Sequence, residues 1–180
     1  MSGDGTATRI QAWASTRRLP EAQTARWIAL PEADRMALLD AAENLRLRTG
    51  QFVTAFEWLD EIAVREGEPI ATVLGRREIR RIIDGGGSTP GRARNFVEQL
   101  RTIRFPRLKR AMDRLSEEVA ELALPHGIRV VLPRNLSSDE LRIEIVGRDA
   151  AEIARLIDAL AKNRDGLKRI TAMLGGADEF

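Results

Sequence analysis

Cysteine and tyrosine are absent from the 180-residue chain, and histidine occurs once, at His126. Without cysteine there can be neither disulfides nor thiolate metal centres, a composition that fits a reducing compartment. A single histidine between Pro125 and Gly127 reads as a turn residue rather than a general base. No His or Cys cluster is present from which a transition-metal site is usually built. Long apolar runs are missing as well: none approaches the roughly 20 residues a membrane-spanning helix needs. The start, Met1-Ser2-Gly3-Asp4-Gly5, lacks the basic-then-apolar layout of a signal peptide. The stretch Asp84-Gly85-Gly86-Gly87-Ser88-Thr89-Pro90-Gly91 has neither the Lys-Ser/Thr ending nor the preceding strand of a nucleotide-binding P-loop. These absences lead us to expect a cytoplasmic protein with no membrane partner, no metal and no cofactor.

What is present is a foldable chain, 43% apolar and long enough for one ordinary domain or two small ones. Residues 1–18 are small and polar apart from Trp13 and the pair Arg17-Arg18, and we read them as a flexible tail. Residues 19–84 read as a helical domain. Pro31, with Glu32 and Asp34 behind it, has the composition of a helix start, with Met36, Leu39 and Leu45 as apolar contacts. Phe52, Phe56, Leu59, Ile62 and Ala63 recur at helical spacing with Trp58 beside them, the stripe of a bundle core. Gly67 ends that helix, and Pro69 opens another through Ile70, Val73 and Leu74. This helix either continues across Gly75 into Ile79, Ile82 and Ile83 or breaks there, since glycine costs about 1 kcal/mol in a helix interior. Residues 85–91 read as a Gly-rich linker.

Residues 92–175 read as a helix-helix-β-β-α module. Phe96, Val97, Leu100 and Ile103 form one stripe, and Phe105-Pro106 breaks it. Pro106 then restarts a helix through Leu115, Val119 and Leu122. Ile128, Val130 and Leu132 alternate inward, as do Leu141, Ile143 and Ile145; both are period-2 signals of half-buried strands. The intervening residues 133–140 are too few for a crossover helix, so antiparallel pairing is expected. Asp149 and Glu152 have capping-box spacing ahead of the stripe Ile153, Leu156, Ile157 and Leu160. Residues 164–174 suit one more short helix, and 176–180 a frayed terminus. The expected fold class is α+β, mostly helical: an N-terminal helical bundle followed by an αββα module with a two-stranded antiparallel sheet. Two strands and a helix make a poor core, so the other face needs either the preceding helix or a second copy of the chain.

Charge is distributed unevenly. The chain carries a net +2, yet between Arg76 and Arg114 twelve bases stand against Glu78, Asp84, Glu98 and Asp113. The bases are Arg76, Arg77, Arg80, Arg81, Arg92, Arg94, Arg101, Arg104, Arg107, Lys109, Arg110 and Arg114, and they are the candidate phosphate-binding residues. Arginine suits bidentate phosphate or carboxylate contacts. The helix from Pro106 places Arg107, Lys109 and Arg110 first and Glu117, Glu118 and Glu121 last, against the helix macrodipole. A phosphate at the helix start would reward that order; so would salt bridges elsewhere, with Arg114 and Glu118 four residues apart as one candidate pair.

The order helix, strand, strand, helix over 106–162 resembles the C-terminal dimerisation domain of ParB-type DNA-partition proteins. The matching segments are Arg114-Leu115 to Leu122, Gly127-Ile128-Arg129-Val130, Leu141-Arg142-Ile143-Glu144-Ile145 and Ala151-Glu152-Ile153-Ala154-Arg155-Leu156. The resemblance implies strands paired across a two-fold axis and basic residues that hold DNA without sequence preference. Upstream, Ile62-Ala63-Val64-Arg65-Glu66-Gly67 followed by Val73 is similar to helix-turn-helix spacing, with 73–81 as the reading helix, although Glu66, Glu68 and Arg76 stand where apolar residues are usual. The family's N-terminal nucleotide-binding motifs are absent. The expectation is a DNA-associated accessory or regulatory protein, a homodimer that contacts duplex DNA through its arginines. The alternative is a non-catalytic protein-interaction module or accessory subunit with a protein partner. Enzymatic activity ranks third, and no catalytic residue is assigned: pairs such as Asp60 with Glu61 and Glu117 with Glu118 read as surface acids.

Overall fold

The computed structural model describes residues 3–133, 136 and 140–176. Among the described residues it contains ten helices and one two-stranded antiparallel sheet, so the α+β, mostly helical class holds. The chain divides into two compact units, Met1–Arg104 and Phe105–Phe180.

The first unit is all helical: α1 (Gly3–Arg17), α2 (Glu21–Ile28), α3 (Glu32–Asn44), α4 (Thr49–Glu66), α5 (Ile70–Gly75), α6 (Arg77–Ile83) and α7 (Thr89–Arg104). Pro20, Pro31 and Pro69 stand immediately before α2, α3 and α5. Proline's fixed φ suits that position, and its missing N–H is no loss there. The α4 stripe is the centre of the unit: Phe52, Phe56, Leu59 and Ile62 are fully buried. Around Phe52 the rings of Trp13 and Trp27 close to 4.8 and 4.6 Å, and the two indoles meet edge-on at 5.5 Å, a favoured aromatic geometry.

That cluster corrects the reading of residues 1–18 as a tail. They form α1, with Ile10 and Ala14 buried beside Trp13. Thr6 Oγ1 donates to Glu32 at 2.7 Å, and this hydrogen bond, more than Arg35 nearby, holds the Glu32 carboxyl below the usual carboxylate range. Thr49 Oγ1 donates to the Arg17 carbonyl at 2.6 Å. The polar composition hid a short apolar face made by Ile10, Trp13 and Ala14. Met36 departs in the other direction: it is 54% exposed, and Leu38, Leu39, Ala41 and Ala42 supply the buried side of α3 instead.

The Gly-rich run 85–91 is not the boundary between units. A Cβ on Gly85 would lie 2.3 Å from the Arg81 carbonyl oxygen, so this glycine is demanded by close approach of the α6 terminus. Ser88 stands immediately before α7, its Oγ accepting from Gly91 N–H, and Ala93, Phe96 and Leu100 enter the same core as Phe52. The boundary falls at Arg104/Phe105, where Pro106 interrupts the backbone hydrogen bonding.

The helix-turn-helix reading also meets a correction. α4 does end at Gly67 in the left-handed region (φ 67°), but no continuous helix spans 73–81. α5 stops at Gly75, Arg76 is extended (ψ 140°), and α6 begins afresh. Glu66, Glu68 and Arg76, the three residues that interrupt the helix-turn-helix pattern, meet one another: Arg76 pairs with both carboxylates, and Arg65 also donates to Glu66.

The second unit comprises α8 (Pro106–Glu121), β1 (Ile128–Val131), β2 (Arg142–Ile145), α9 (Ala150–Lys162) and α10 (Arg164–Gly175). β1 and β2 pair antiparallel, with Ile128 opposite Ile145 and Val130 opposite Ile143 on one face and Arg129 opposite Glu144 on the other. Gly127 opens β1 at φ 107°, and a Cβ there would stand 2.7 Å from the Val146 carbonyl. Asp149 caps α9 by accepting from Glu152 N–H at 2.8 Å, while Glu152 accepts from Arg148 N–H. The core is small: Leu115, Leu122, Ile170 and Leu174 are buried, with Val130, Leu132 and Leu141 packed against them. On α9 only Leu156 is buried, and Ile157 is half exposed. In the connector, residues 134, 135 and 137–139 lie outside the described residues, and so do 177–180 of the expected frayed end; Gly176 caps α10.

Candidate functional site

The twelve bases between Arg76 and Arg114 fall into both units, eight in the first and four in the second. Five of the first eight serve the fold. Arg76 binds Glu66 and Glu68, and these hydrogen bonds hold its guanidinium above the ordinary arginine range and Glu66 below the ordinary carboxylate range. Arg80 reaches Asp40 at 2.9 Å and Asp84 at 2.7 Å and is raised in the same way, chiefly by Asp40. Arg92 donates to the Ile83 carbonyl at 2.6 Å and the Asn44 carbonyl at 3.2 Å, a cation placed on the negative ends of α6 and α3. Arg101 pairs with Glu98, and Arg104 with Glu61. Arg65 plays the Arg92 part for α7, donating to the Ile103 and Arg104 carbonyls.

The remaining three, Arg77, Arg81 and Arg94, are exposed and form no ion pair among the described residues. Arg77 and Arg81 are four apart on α6 and share a face.

In the second unit, Lys109 is taken by Asp113. Arg107, Arg110 and Arg114 are exposed, spaced three and four along α8, and have no carboxylate partner among the described residues. Arg110 donates to the Pro106 carbonyl of its own helix, at 3.3 Å. The anticipated Arg114–Glu118 pair is not formed, because Glu118 is engaged by Arg169 of α10 at 3.2 Å. Phe105 at the N-cap makes no side-chain hydrogen bond to the first turn, and no acid stands in that turn to offset its positive end.

Sequence reading confined to 76–114 missed two arginines. Arg46 and Arg48 flank Leu47 between α3 and α4, and with Arg94 they line a concavity of about 450 Å³ in the first unit. Arg46 sits at φ 48°. Its N–H donates to the Glu43 carbonyl and that of Leu47 to Ala42, the pair of bonds that closes a Schellman motif, in which glycine is usual at this position. The signal in the sequence is a base at the start of α4, where an acceptor side chain belongs.

Three of the four acids considered for catalysis are otherwise occupied, Asp60 pairing with Arg26 at 2.6 Å, Glu61 with Arg104 and Glu118 with Arg169, and the fourth, Glu117, is exposed on α8. His126 is exposed in the turn before β1. Among the described residues no group of three or more His, Cys, Asp or Glu converges as a metal site, and no helix is long and apolar enough to cross a membrane. Compared with protein-family models, curated proteins and solved structures, the chain matches none.

Proposed function

We propose that this chain is a DNA-associated accessory protein that holds the phosphate backbone of duplex DNA through exposed arginines and acts as a homodimer joined through its second unit. The observation that carries the reading is the α8 stripe. Arg107, Arg110 and Arg114 form one exposed stripe on α8, with Arg107 in the positive first turn and no carboxylate partner for any of them among the described residues, an arrangement that favours an anion. Arg77, Arg81 and Arg94 offer further phosphate contacts. Such contacts position a protein on DNA without reading sequence, and with no continuous helix over 73–81 this reading assigns no major-groove element. The homodimer is supported by the sparse core of the second unit and by the half-exposed Ile157 and exposed Val146. It agrees with the resemblance to the ParB-type dimerisation domain.

Fluorescence anisotropy against duplex DNA over a salt series tests the reading. Binding should weaken linearly on logarithmic axes, with a slope of about 0.9 per phosphate contact. Replacing Arg107, Arg110 and Arg114 together with glutamine should lower that slope by two to three contacts' worth at every sequence (about 0.9 each). An unchanged slope refutes the α8 assignment. Sedimentation tests the dimer: Ile157→Glu should dissociate it, and a monomeric wild type refutes it.

A protein-interaction module is the second reading, favoured by the apolar groove that Ile157, Leu160, Ala161 and Leu167 line between α9 and α10. Salt-insensitive capture of a protein partner from nuclease-treated extract, abolished by Ile157→Glu, would select it.

A further inference from the structure

We propose that the concavity at the starts of α4 and α7 is a binding site for a phosphate group, held by Arg46, Arg48 and Arg94. The site lies in the first unit and does not depend on the α8 stripe.

Three features converge. The first is charge without compensation. Arg46, Arg48 and Arg94 line one cavity, none is ion-paired among the described residues, and no acid lines the wall with them. Elsewhere in this unit Arg76, Arg80 and Arg104 find carboxylates, so acids are available to the fold and are not used here. Like charges held around a shared concavity repel one another, and a bound anion relieves that repulsion.

The second is donor chemistry. Arg48 occupies the N-cap of α4, yet an arginine side chain has donors only and is repelled by the positive end of the helix. Gln51 Oε1 accepts from Arg48 N–H at 3.1 Å, which leaves its amide NH₂ as the free end. Thr89, the first residue of α7, adds a hydroxyl. A phosphate offers acceptors on several oxygens and matches arginine's bidentate fork.

The third is form. A volume of about 450 Å³ lies within the range of roughly 300–1,000 Å³ for small-ligand sites. Leu45 and Ala93 give the cavity an apolar part, able to receive the organic portion of an ester. Arg46 is held there in a left-handed conformation that glycine would adopt at lower cost, and strain of this kind is concentrated at functional positions. The shared chemistry is the phosphate oxyanion, carried either by a small phosphate ester or by a nucleic-acid backbone.

Isothermal titration of the full chain with inorganic pyrophosphate at fixed ionic strength tests the site. Saturable binding of one pyrophosphate per chain is expected, weakened about tenfold or more in Arg46→Gln and again in Arg94→Gln, as for loss of a charge-assisted hydrogen bond, and unchanged in Arg26→Gln, whose guanidinium is paired with Asp60 away from the cavity. Arg94 is exposed on α7, so its variant reports on binding even if the Arg46 variant folds poorly. Absence of saturable binding, or an equal loss in Arg26→Gln, overturns the proposal. If duplex DNA displaces the pyrophosphate, the natural phosphate is that of a nucleic acid; if DNA binds alongside it, the natural ligand is a small ester. Failure here leaves the α8 salt slope untouched, so the two readings fail separately.

Discussion

Replacing Phe96 with alanine asks whether α7 is core or connector. Phe96 is fully buried in the first unit, in the cluster that contains Phe52 and Phe56. Truncating a buried phenylalanine costs about 3–5 kcal/mol, the sum of the lost transfer energy and the cavity left behind. A domain of this size has a total stability of about 5–15 kcal/mol, so the variant should remain folded in water with its margin sharply reduced. With a urea m-value of about 2 kcal/mol per molar, the midpoint should fall by about 1.5–2.5 M. The assay is built into the chain. Trp13, Trp27 and Trp58 are its three tryptophans and all lie within Met1–Arg104, so tryptophan fluorescence follows the first unit while far-ultraviolet circular dichroism follows both. The fluorescence transition should move by the stated amount. Leu115→Ala, in the core of the second unit, should leave it in place and shift only the dichroism signal. A fluorescence midpoint unchanged by Phe96→Ala would refute the placement of α7 in this core and restore residues 85–91 as the linker.

Asp34 is 5% exposed and accepts from Ala71 N–H at 2.7 Å, capping α5 from α3 where Pro69 has no side-chain acceptor. Asp34→Ala should cost about 1–3 kcal/mol in the fluorescence-monitored transition by leaving that amide unpaired, and Asp34→Asn less; equal losses would show that the charge rather than the hydrogen bond matters. Glu66, held below the usual carboxylate range by hydrogen bonds from Arg76 and then Arg65, binds its proton more weakly in the folded state than in the unfolded one. Its contribution is therefore complete above the unfolded value of about 4.3 and is lost as pH falls through the lower folded value. The wild type should lose stability more steeply than Glu66→Gln on acidification below that point, and parallel profiles would refute the Arg76 cluster. Arg46→Gly relieves a left-handed arginine and should raise stability by about 0.5–1 kcal/mol while weakening pyrophosphate binding; a destabilised variant would show that the conformation carries no strain.

Most of the helices and the antiparallel strand pair were legible because they rest on local signals. The Phe52 to Ile62 stripe, the alternation of Ile128 and Val130 against Ile143 and Ile145, and the Asp149–Glu152 cap each need only nearest neighbours in sequence, and all three are present. The unit boundary was not legible. Three glycines resemble a linker in composition, whereas the need for Gly85 arises from a carbonyl four residues back, and α7 is held by contacts more than thirty residues away in α4. α1 was missed for a related reason: Trp13 is an isolated aromatic in a polar stretch until Trp27 and Phe52 surround it. Among the bases, sequence gave the excess of charge but not its disposition. Arg76, Arg80, Arg92 and Arg104 are committed to carboxylates or helix carbonyls through partners as distant as Asn44, and no count of charges separates them from Arg107 or Arg114.

The sheet of the second unit has as many edges as strands. Among the described residues β1 and β2 pair only with each other, which leaves each an outer row of amides and carbonyls with no strand against it. The symmetry of the next contact then sets the size of the assembly. A copy that brings its own β1 against this β1, or β2 against β2, closes on a two-fold axis and stops. A copy that sets β1 against β2 repeats the same step and gives a ring where the rotation closes and a filament where it does not. Each strand has only four residues, and Arg129, Arg142 and Glu144 punctuate them. A short, charged edge resists indefinite growth.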